Sequence, residues 1–317
     1  MWIGLVGSEM CIRDRLRKTY FLKLFKRSAV CGLTVAGLFC AYSQAPAQLR
    51  KGGERASRFM ERIDTIEGAK RLAAFRRQRL EGDFCFEFEL AHKPRQGRTI
   101  PYAGIMWGSW NESGPITRLC VHPVQLKDNK SINSSQEVEL IIQNGVTPQA
   151  WIRRNDGSDF ELIEGEALFE PIMPSLLYSP FDLQMPFVYW KDFTYEGPTL
   201  VGATRIAQQF LMQPPALSAS AQRGISGVRV GLDDTYNALW RIEVMNAEGE
   251  VSSRFAVESF KKIQDQYIVK RITLTDYSSR DRTTFEVKAA AVGISLNQKL
   301  FCPVTVSYTH LTLPTSA

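Results

Sequence analysis

The chain has 317 residues, 44% hydrophobic and 23% charged, which excludes a disordered chain and supplies enough apolar material for one large or two ordinary domains. Its formal charge of +6 is unevenly placed. Seven of the 39 Lys/Arg and two of the 33 Asp/Glu fall in residues 1–47, which leaves 32 against 31 beyond them, and a net of +1 removes the compositional argument for a nucleic-acid partner.

That basic start has a secretory pattern. Lys23, Lys26 and Arg27 form an n-region, residues 28–41 an apolar h-region, and Ala45-Pro46-Ala47 an A-x-A cleavage site, so residues 15–47 read as a signal peptide. The apolar stretch is too short to cross a membrane comfortably. An exported, periplasmic protein is expected. Residues 1–14 and 304–317 read as translated sequencing-adapter sequence and are set aside, which leaves 48–303 as the folded domain.

After the leader, residues 54–79 form the one helical region. Phe59, Ile63 and Ile66 fall at helical spacing, Asp64 with Glu67 offers a capping box, and Gly68 is expected to kink or divide the helix. Arg71, Arg76, Arg77 and Arg79 read as a solvated face, with a membrane-surface helix as the alternative.

From Gly82 the period changes to two. Phe84, Phe86, Phe88 and Leu90 alternate with Cys85, Glu87 and Glu89, and strands follow at 99–110, 116–122, 137–143 and 149–154. Asn155-Asp156-Gly157-Ser158 then turns the chain into 160–163. Cys85, Cys120 and Cys302 remain in the mature part. An oxidising compartment permits a disulfide, with Cys85 and Cys120 on neighbouring strands as the expected pair and small buried hydrophobes as the alternative. A zinc site from Cys85, His92, Cys120 and His122 is disfavoured, because an odd spacing sends Cys85 and His92 to opposite faces of a strand.

Residues 168–190 break the pattern. Pro171, Pro174, Pro180 and Pro186 interrupt a run too apolar to remain in water, so the segment is expected to lie over apolar surface as short helical turns and loops. It reads either as a ligand-gating lid or as a covering layer that closes the core. The lid and cavity candidates are Phe169, Met173, Leu176, Leu177, Phe181, Met185, Phe187, Tyr189 and Trp190, with Trp240 from the sheet. In a carrier this lid is attached weakly enough to open, so that truncating Leu177, Phe181 and Phe187 to Ala leaves a folded protein.

Strands at 193–195 and 204–212 follow, then a small-residue loop at 214–224 that is expected to be mobile. The runs 228–232, 238–245, 251–260, 267–274 and 283–287, separated by short polar turns, read as a β-meander. Residues 232–237 list oxygen ligands without calcium-loop spacing and read as a polar turn. No G-x-S-x-G, G-x-G-x-x-G, P-loop or H-E-x-x-H motif occurs, so no catalytic residue, metal or cofactor is assigned.

Tyr189-Trp190-Lys191-Asp192-Phe193-Thr194-Tyr195-Glu196-Gly197-Pro198, Gly227-Val228-Arg229-Val230-Gly231-Leu232-Asp233, Tyr236-Asn237-Ala238-Leu239-Trp240-Arg241-Ile242-Glu243, Ser259-Phe260-Lys261-Lys262 and Ile268-Val269-Lys270-Arg271-Ile272 carry a resemblance. With the leader and the proline-broken insertion, residues 50–300 resemble the LolA-like fold, and in particular the outer-membrane lipoprotein-sorting proteins. The resemblance implies a mainly β (α+β) fold: one antiparallel sheet of about eleven strands curled into an incomplete barrel, with an N-terminal helix and a helical or loop lid. It further implies a binder of acyl chains or lipidated proteins and no enzyme. The carrier's functional arginine is not assigned to a residue of this chain. An envelope scaffold with a filled core, docking envelope proteins, is the alternative, and a hydrolase built on Glu87, Glu89, Asp233 and Asp234 carries the least weight.

Overall fold

A computed structural model of the chain describes residues 62–124, 137–154, 158–201 and 205–303. The leader, both adapter-like ends, Phe59 and most of the 155–158 turn lie outside them.

Among the described residues the period-two runs become thirteen strands of one antiparallel sheet, two more than the eleven expected. The first six are β1 (Asp83–Lys93), β2 (Ile100–Asn111), β3 (Gly114–Pro123), β4 (Val138–Gln143), β5 (Gln149–Arg153) and β6 (Glu161–Leu162). The remainder are β7 (Phe193–Val201), β8 (Arg205–Met212), β9 (Gly227–Asp233), β10 (Leu239–Met245), β11 (Val251–Ile263), β12 (Gln266–Asp276) and β13 (Arg282–Ile294). Their spatial order is β6-β5-β4-β3-β2-β1-β13-β12-β11-β10-β9-β8-β7. Two meanders are thus joined where β1 pairs with β13, from Asp83↔Ile294 to Lys93↔Arg282. The sheet does not close, and β6 and β7 are its edges.

Alternation decides which face is apolar. Phe86, Phe88, Leu90, Met106, Leu119, Val121, Phe210, Val230, Phe255, Ile272 and Phe285 belong to one core cluster on the concave face. Gly104 and Gly108 of β2 lie opposite Phe88 and Phe84, and a Cβ there would come within 2.5 Å and 2.0 Å of those rings. Glycine is required at both so that the aromatic rings of β1 can lie across β2. The convex face is largely polar, except where the 3-10 turn Gln298–Phe301 lays Leu300 and Phe301 on Ile116 and Ile141 as a second, smaller core.

Helix α1 (Thr65–Arg77) is continuous, and Gly68 does not divide it. Gly68 sits instead where a Cβ would meet Phe210 at 3.3 Å, so its smallness brings the helix close to the sheet. Asp64 caps the helix by accepting from the Glu67 N–H at 2.7 Å. The buried face is Gly68, Leu72 and Phe75, while Ile66, expected to be apolar-facing, is exposed.

The 214–224 loop contains a one-turn helix, α3 (Ala219–Gln222), capped by Ser218. Two further expectations are corrected. Cys85 and Cys120 are free thiols on β1 and β3, which are not neighbours: β2 lies between them, pairing Cys85 with Trp107 and Cys120 with Ile105. Two strand spacings of about 4.8 Å each put their Cα atoms beyond disulfide reach. Burial raises the Cys85 pKa to about 11, and burial with the Glu137 hydrogen bond raises that of Cys120, so both are poorly reactive. Trp240, finally, is no part of the concave core. A register shift between Leu239 and Arg241 displaces it from the face that holds Leu239 and Ile242, and the exposed Arg205 stacks over its ring at 4.9 Å.

Candidate functional site: a strap across the concave face

The strand order dictates the site. Because β6 and β7 are opposite edges, residues 163–192 between them must cross the whole sheet. Twelve strand steps span roughly 58 Å along the arc, and the chain takes the shorter route over the concave face. This explains why the segment is apolar, since it must cover the cluster that the sheet presents. It also explains the prolines, which break the crossing into α2 (Pro180–Gln184) and the 3-10 turns Gly165–Phe169 and Pro186–Tyr189. Pro180 and Pro186 each stand at the start of a turn, where no N–H is needed.

Local sequence fixes each turn. Ser179 caps α2 by accepting from the Asp182 N–H, and Asp182 Oδ2 accepts from Ser179 N–H at 2.9 Å and Ser179 Oγ–H at 2.6 Å. Burial raises the Asp182 pKa, and the two hydrogen bonds from Ser179 oppose that rise. Met185 takes a left-handed conformation, φ 47°, and ends the helix.

Nearly all the candidate residues come together here. Met173, Leu176, Phe181, Met185, Phe187 and Trp190 are buried in the main core, with Phe169, Leu177 and Tyr189 half-buried against it. Phe181 lies between Phe169 and Phe187, at centroid distances of 4.9 Å and 5.6 Å. The expected space between lid and sheet is not open in this conformation, because the segment itself fills it. One remnant of about 10 Å³ lies among Phe88, Leu119, Val121, Ile172, Leu183 and Phe285, at the lower limit for a single water. Phe181 and Phe187 are core in this conformation.

The polar fastenings were not found from sequence. Arg76 of α1 donates from Nε to the Val188 carbonyl at 2.6 Å and from Nη2 to the Trp190 carbonyl at 2.9 Å. Burial lowers its pKa, with Tyr189 opposing. Tyr102 donates to the Pro174 carbonyl at 2.6 Å, and Asn144 Nδ2 donates to the Gln184 carbonyl. The Leu177 N–H donates to Thr283 Oγ1 at 3.3 Å. Each is a side chain of the sheet, of a turn between its strands or of the helix, holding the backbone of the crossing segment. A helical arginine reads as solvated in sequence, and only the route of residues 163–192 reveals what Arg76 meets.

The four carboxylates of the hydrolase reading do not converge. Glu87 and Glu89 lie exposed on β1, Asp233 Oδ1 accepts from the Thr235 and Tyr236 N–H groups, and Asp234 pairs with Arg71 at 2.8 Å. Residues 233–237 are therefore the polar turn expected. Among the described residues no three His, Cys, Asp or Glu side chains are grouped to hold a metal, and no helix is long and apolar enough to cross a membrane.

No family model matches the sequence, and no curated protein does. Solved structures do match. A DUF1329 family protein from Desulfovibrio piger superposes with a TM-score of 0.61 at 14% identity, over 75% of this chain and 98% of that one. A Vibrio parahaemolyticus domain named for outer membrane lipoprotein sorting gives 0.60 at 12%, over 74% and 95%. A LolA superfamily protein from Nitrosomonas europaea gives 0.53 at 12%, over 76% and 98%. The fold is LolA-like, an incomplete barrel of one antiparallel sheet.

Proposed function

We propose that the protein is a periplasmic carrier of acyl chains or lipidated proteins, in which residues 163–192 form a strap that the ligand displaces from the concave face. The observation that carries this reading is how the strap is held. Its apolar side chains cover an aromatic sheet surface that a hydrocarbon chain would cover equally well, and single side chains fasten it where a sheet would have a backbone ladder. Exchange of strap for ligand keeps the sheet dry throughout, and each methylene buried contributes about 0.8 kcal/mol. Both ends are anchored at opposite edges, so the strap lifts in the middle and does not swing about one hinge. The sorting function named for the Vibrio structure and the leader at 15–47 agree with this role and with export. The test is lipid extraction from the purified protein with mass spectrometry, alongside titration with a fluorescent fatty acid. Acyl lipid in the extract and saturable binding are expected; neither signal would end the reading.

A second reading has an observation of its own. The concave face is filled, as an envelope scaffold would have it, and such a protein would engage envelope partners through its outer surface or edges. Recovery of one envelope protein in stoichiometric amount without bound lipid would favour it.

A further inference from the structure

Three tyrosines are buried among the described residues, all in the concave core: Tyr102, Tyr178 and Tyr195. Two have acceptors for their hydroxyls, Tyr102 in the Pro174 carbonyl at 2.6 Å and Tyr195 in Gln208 Oε1. The third does not. Tyr178, on the strap, is 2% exposed, and its hydroxyl has no hydrogen-bond partner among the described residues. A buried donor without an acceptor destabilises the state that buries it, and Phe at this position would fill the same space without that cost.

The backbone and ring of Tyr178 are held in place. The Tyr178 carbonyl accepts from the Ile172 N–H at 3.0 Å, the next residue caps α2, and the ring meets Phe255 edge-on at 6.2 Å. Tyr178 also lines the remnant of space described above, whose other walls are apolar; a second of about 10 Å³ lies among Asp182, Phe187, Ser253 and Phe255. A water in the first would find too few polar partners to be held. Burial, with Asp182 and Glu258 adding to it, raises the phenol pKa, so the group is a neutral donor. A neutral donor on the inner side of the strap has the chemistry to meet an acceptor that arrives with a hydrophobic ligand between strap and sheet.

We propose that Tyr178 is a specificity-determining residue whose hydroxyl donates to an acyl carbonyl, so that the ligand is an acyl ester or acyl amide and not a plain hydrocarbon. This rests on the carrier reading. A carbonyl buried in an apolar site needs a donor as much as Tyr178 needs an acceptor, so the pairing removes two unmet hydrogen bonds at once.

The test compares the full chain with its Tyr178→Phe variant, using a pyrene-labelled fatty-acid methyl ester and a pyrene-labelled alkane of equal length. The wild type is expected to prefer the ester by about threefold to tenfold, and the variant to lose that preference while binding the alkane unchanged. The variant should also melt no lower than the wild type. An ester preference that survives in the variant, or a lower melting temperature, overturns the proposal alone. Binding of both probes without preference in the wild type does the same. Failure of the wild type to bind either probe instead overturns the carrier reading on which the proposal stands. A diacylglycerol and a diacylated cysteinyl peptide, titrated in parallel, distinguish free lipid from lipidated protein as the source of the carbonyl; weakening of whichever binds by Tyr178→Phe supports the contact.

Discussion

Strand β11 is held to β12 by a ladder running from Ser253↔Asp276 to Ile263↔Gln266, whereas the strap that crosses the same sheet is held by a few side chains reaching its carbonyls. Both are apolar toward the common core, so the hydrophobic contribution does not separate them. Hydrogen bonding does. A ladder is lost only by unfolding the strand, but a side-chain fastening can be released while the sheet stays intact. This difference is what allows one core layer to be exchangeable and the other permanent.

The strongest way to break the comparison is to remove the strap's aromatic anchors. Phe181 and Phe187 are 3% and 2% exposed, and truncating such a residue to Ala costs about 3–5 kcal/mol. Two together approach the whole stability of an ordinary domain, about 5–15 kcal/mol. The Phe181→Ala/Phe187→Ala protein is expected to lose its cooperative thermal transition by circular dichroism, and adding Leu177→Ala, which is only half-buried, should change little more. A cooperative transition within a few degrees of wild type would mean that the strap's packing contributes little to the stability of the sheet.

Removing a fastening should act more selectively. Arg76→Met keeps the stem of the side chain against the core but forfeits two charge-assisted hydrogen bonds, to Val188 and Trp190, worth roughly 2–3 kcal/mol. Hydrogen exchange should show the amides of Val188 and Trp190 losing protection while those of β11 and β12 keep theirs. Uniform loss across the sheet would place Arg76 in the permanent layer.

On the convex face the sheet has an ionic counterpart to the strap's fastenings. Glu243, with its side chain 6% exposed, meets Arg229 at 3.1 Å, Arg254 at 2.8 Å and Arg241 at 3.6 Å. Burial would raise its pKa, but the three guanidinium groups outweigh that and hold the carboxyl below its ordinary range. Its stabilising contribution is therefore complete above the unfolded value and is lost as pH falls through the lower folded one. Glu243→Gln should cost about 2 kcal/mol at pH 7 and flatten the decline of stability below about pH 4.5, as followed by urea denaturation. An unchanged acid profile would show that the contribution comes from elsewhere.

The sheet was largely legible because period two depends only on neighbours in sequence, and Phe84 to Leu90 or the five runs after Gly224 state it openly. The strap was legible as a covering layer but not as a crossing. Its route follows from the pairing of β1 with β13, a contact between residues some two hundred positions apart that leaves β6 and β7 as the edges. Cys85 and Cys120 were misplaced by a single strand, although the strand at 99–110 lies between them in sequence and in the sheet. Trp240 was misread because one register shift changes which way a side chain faces, and Gly68 because a small residue in a helix can signal close packing as well as a break. Tyr178 left no mark at all, since a missing hydrogen bond is a property of an assembled core.

The smallest effect concerns His92, which touches the strap through one intermediary. His92 Nδ1 lies 3.0 Å from Thr283 Oγ1, and that hydroxyl in turn accepts from the Leu177 N–H of the strap. With His92 neutral, the Thr283 hydroxyl can donate to Nδ1 while accepting from Leu177; protonation turns Nδ1 into a donor and leaves the buried hydroxyl proton without that acceptor. Burial lowers the His92 pKa from its ordinary 6.5, and Asp281, whose Oδ2 is 4.0 Å from Nε2, only partly opposes this. A lowered folded pKa means that the contribution is fully present above pH 6.5 and is lost as pH falls from there through the folded value. Stability should decline modestly over that window, and protection of the Leu177 amide should decline with it. His92→Gln keeps a hydrogen-bonding group beside Thr283 but does not titrate, so in that variant both slopes should vanish while stability at pH 7.5 stays close to wild type. A slope that persists in the variant would assign the titration to another group and leave the strap's middle insensitive to His92.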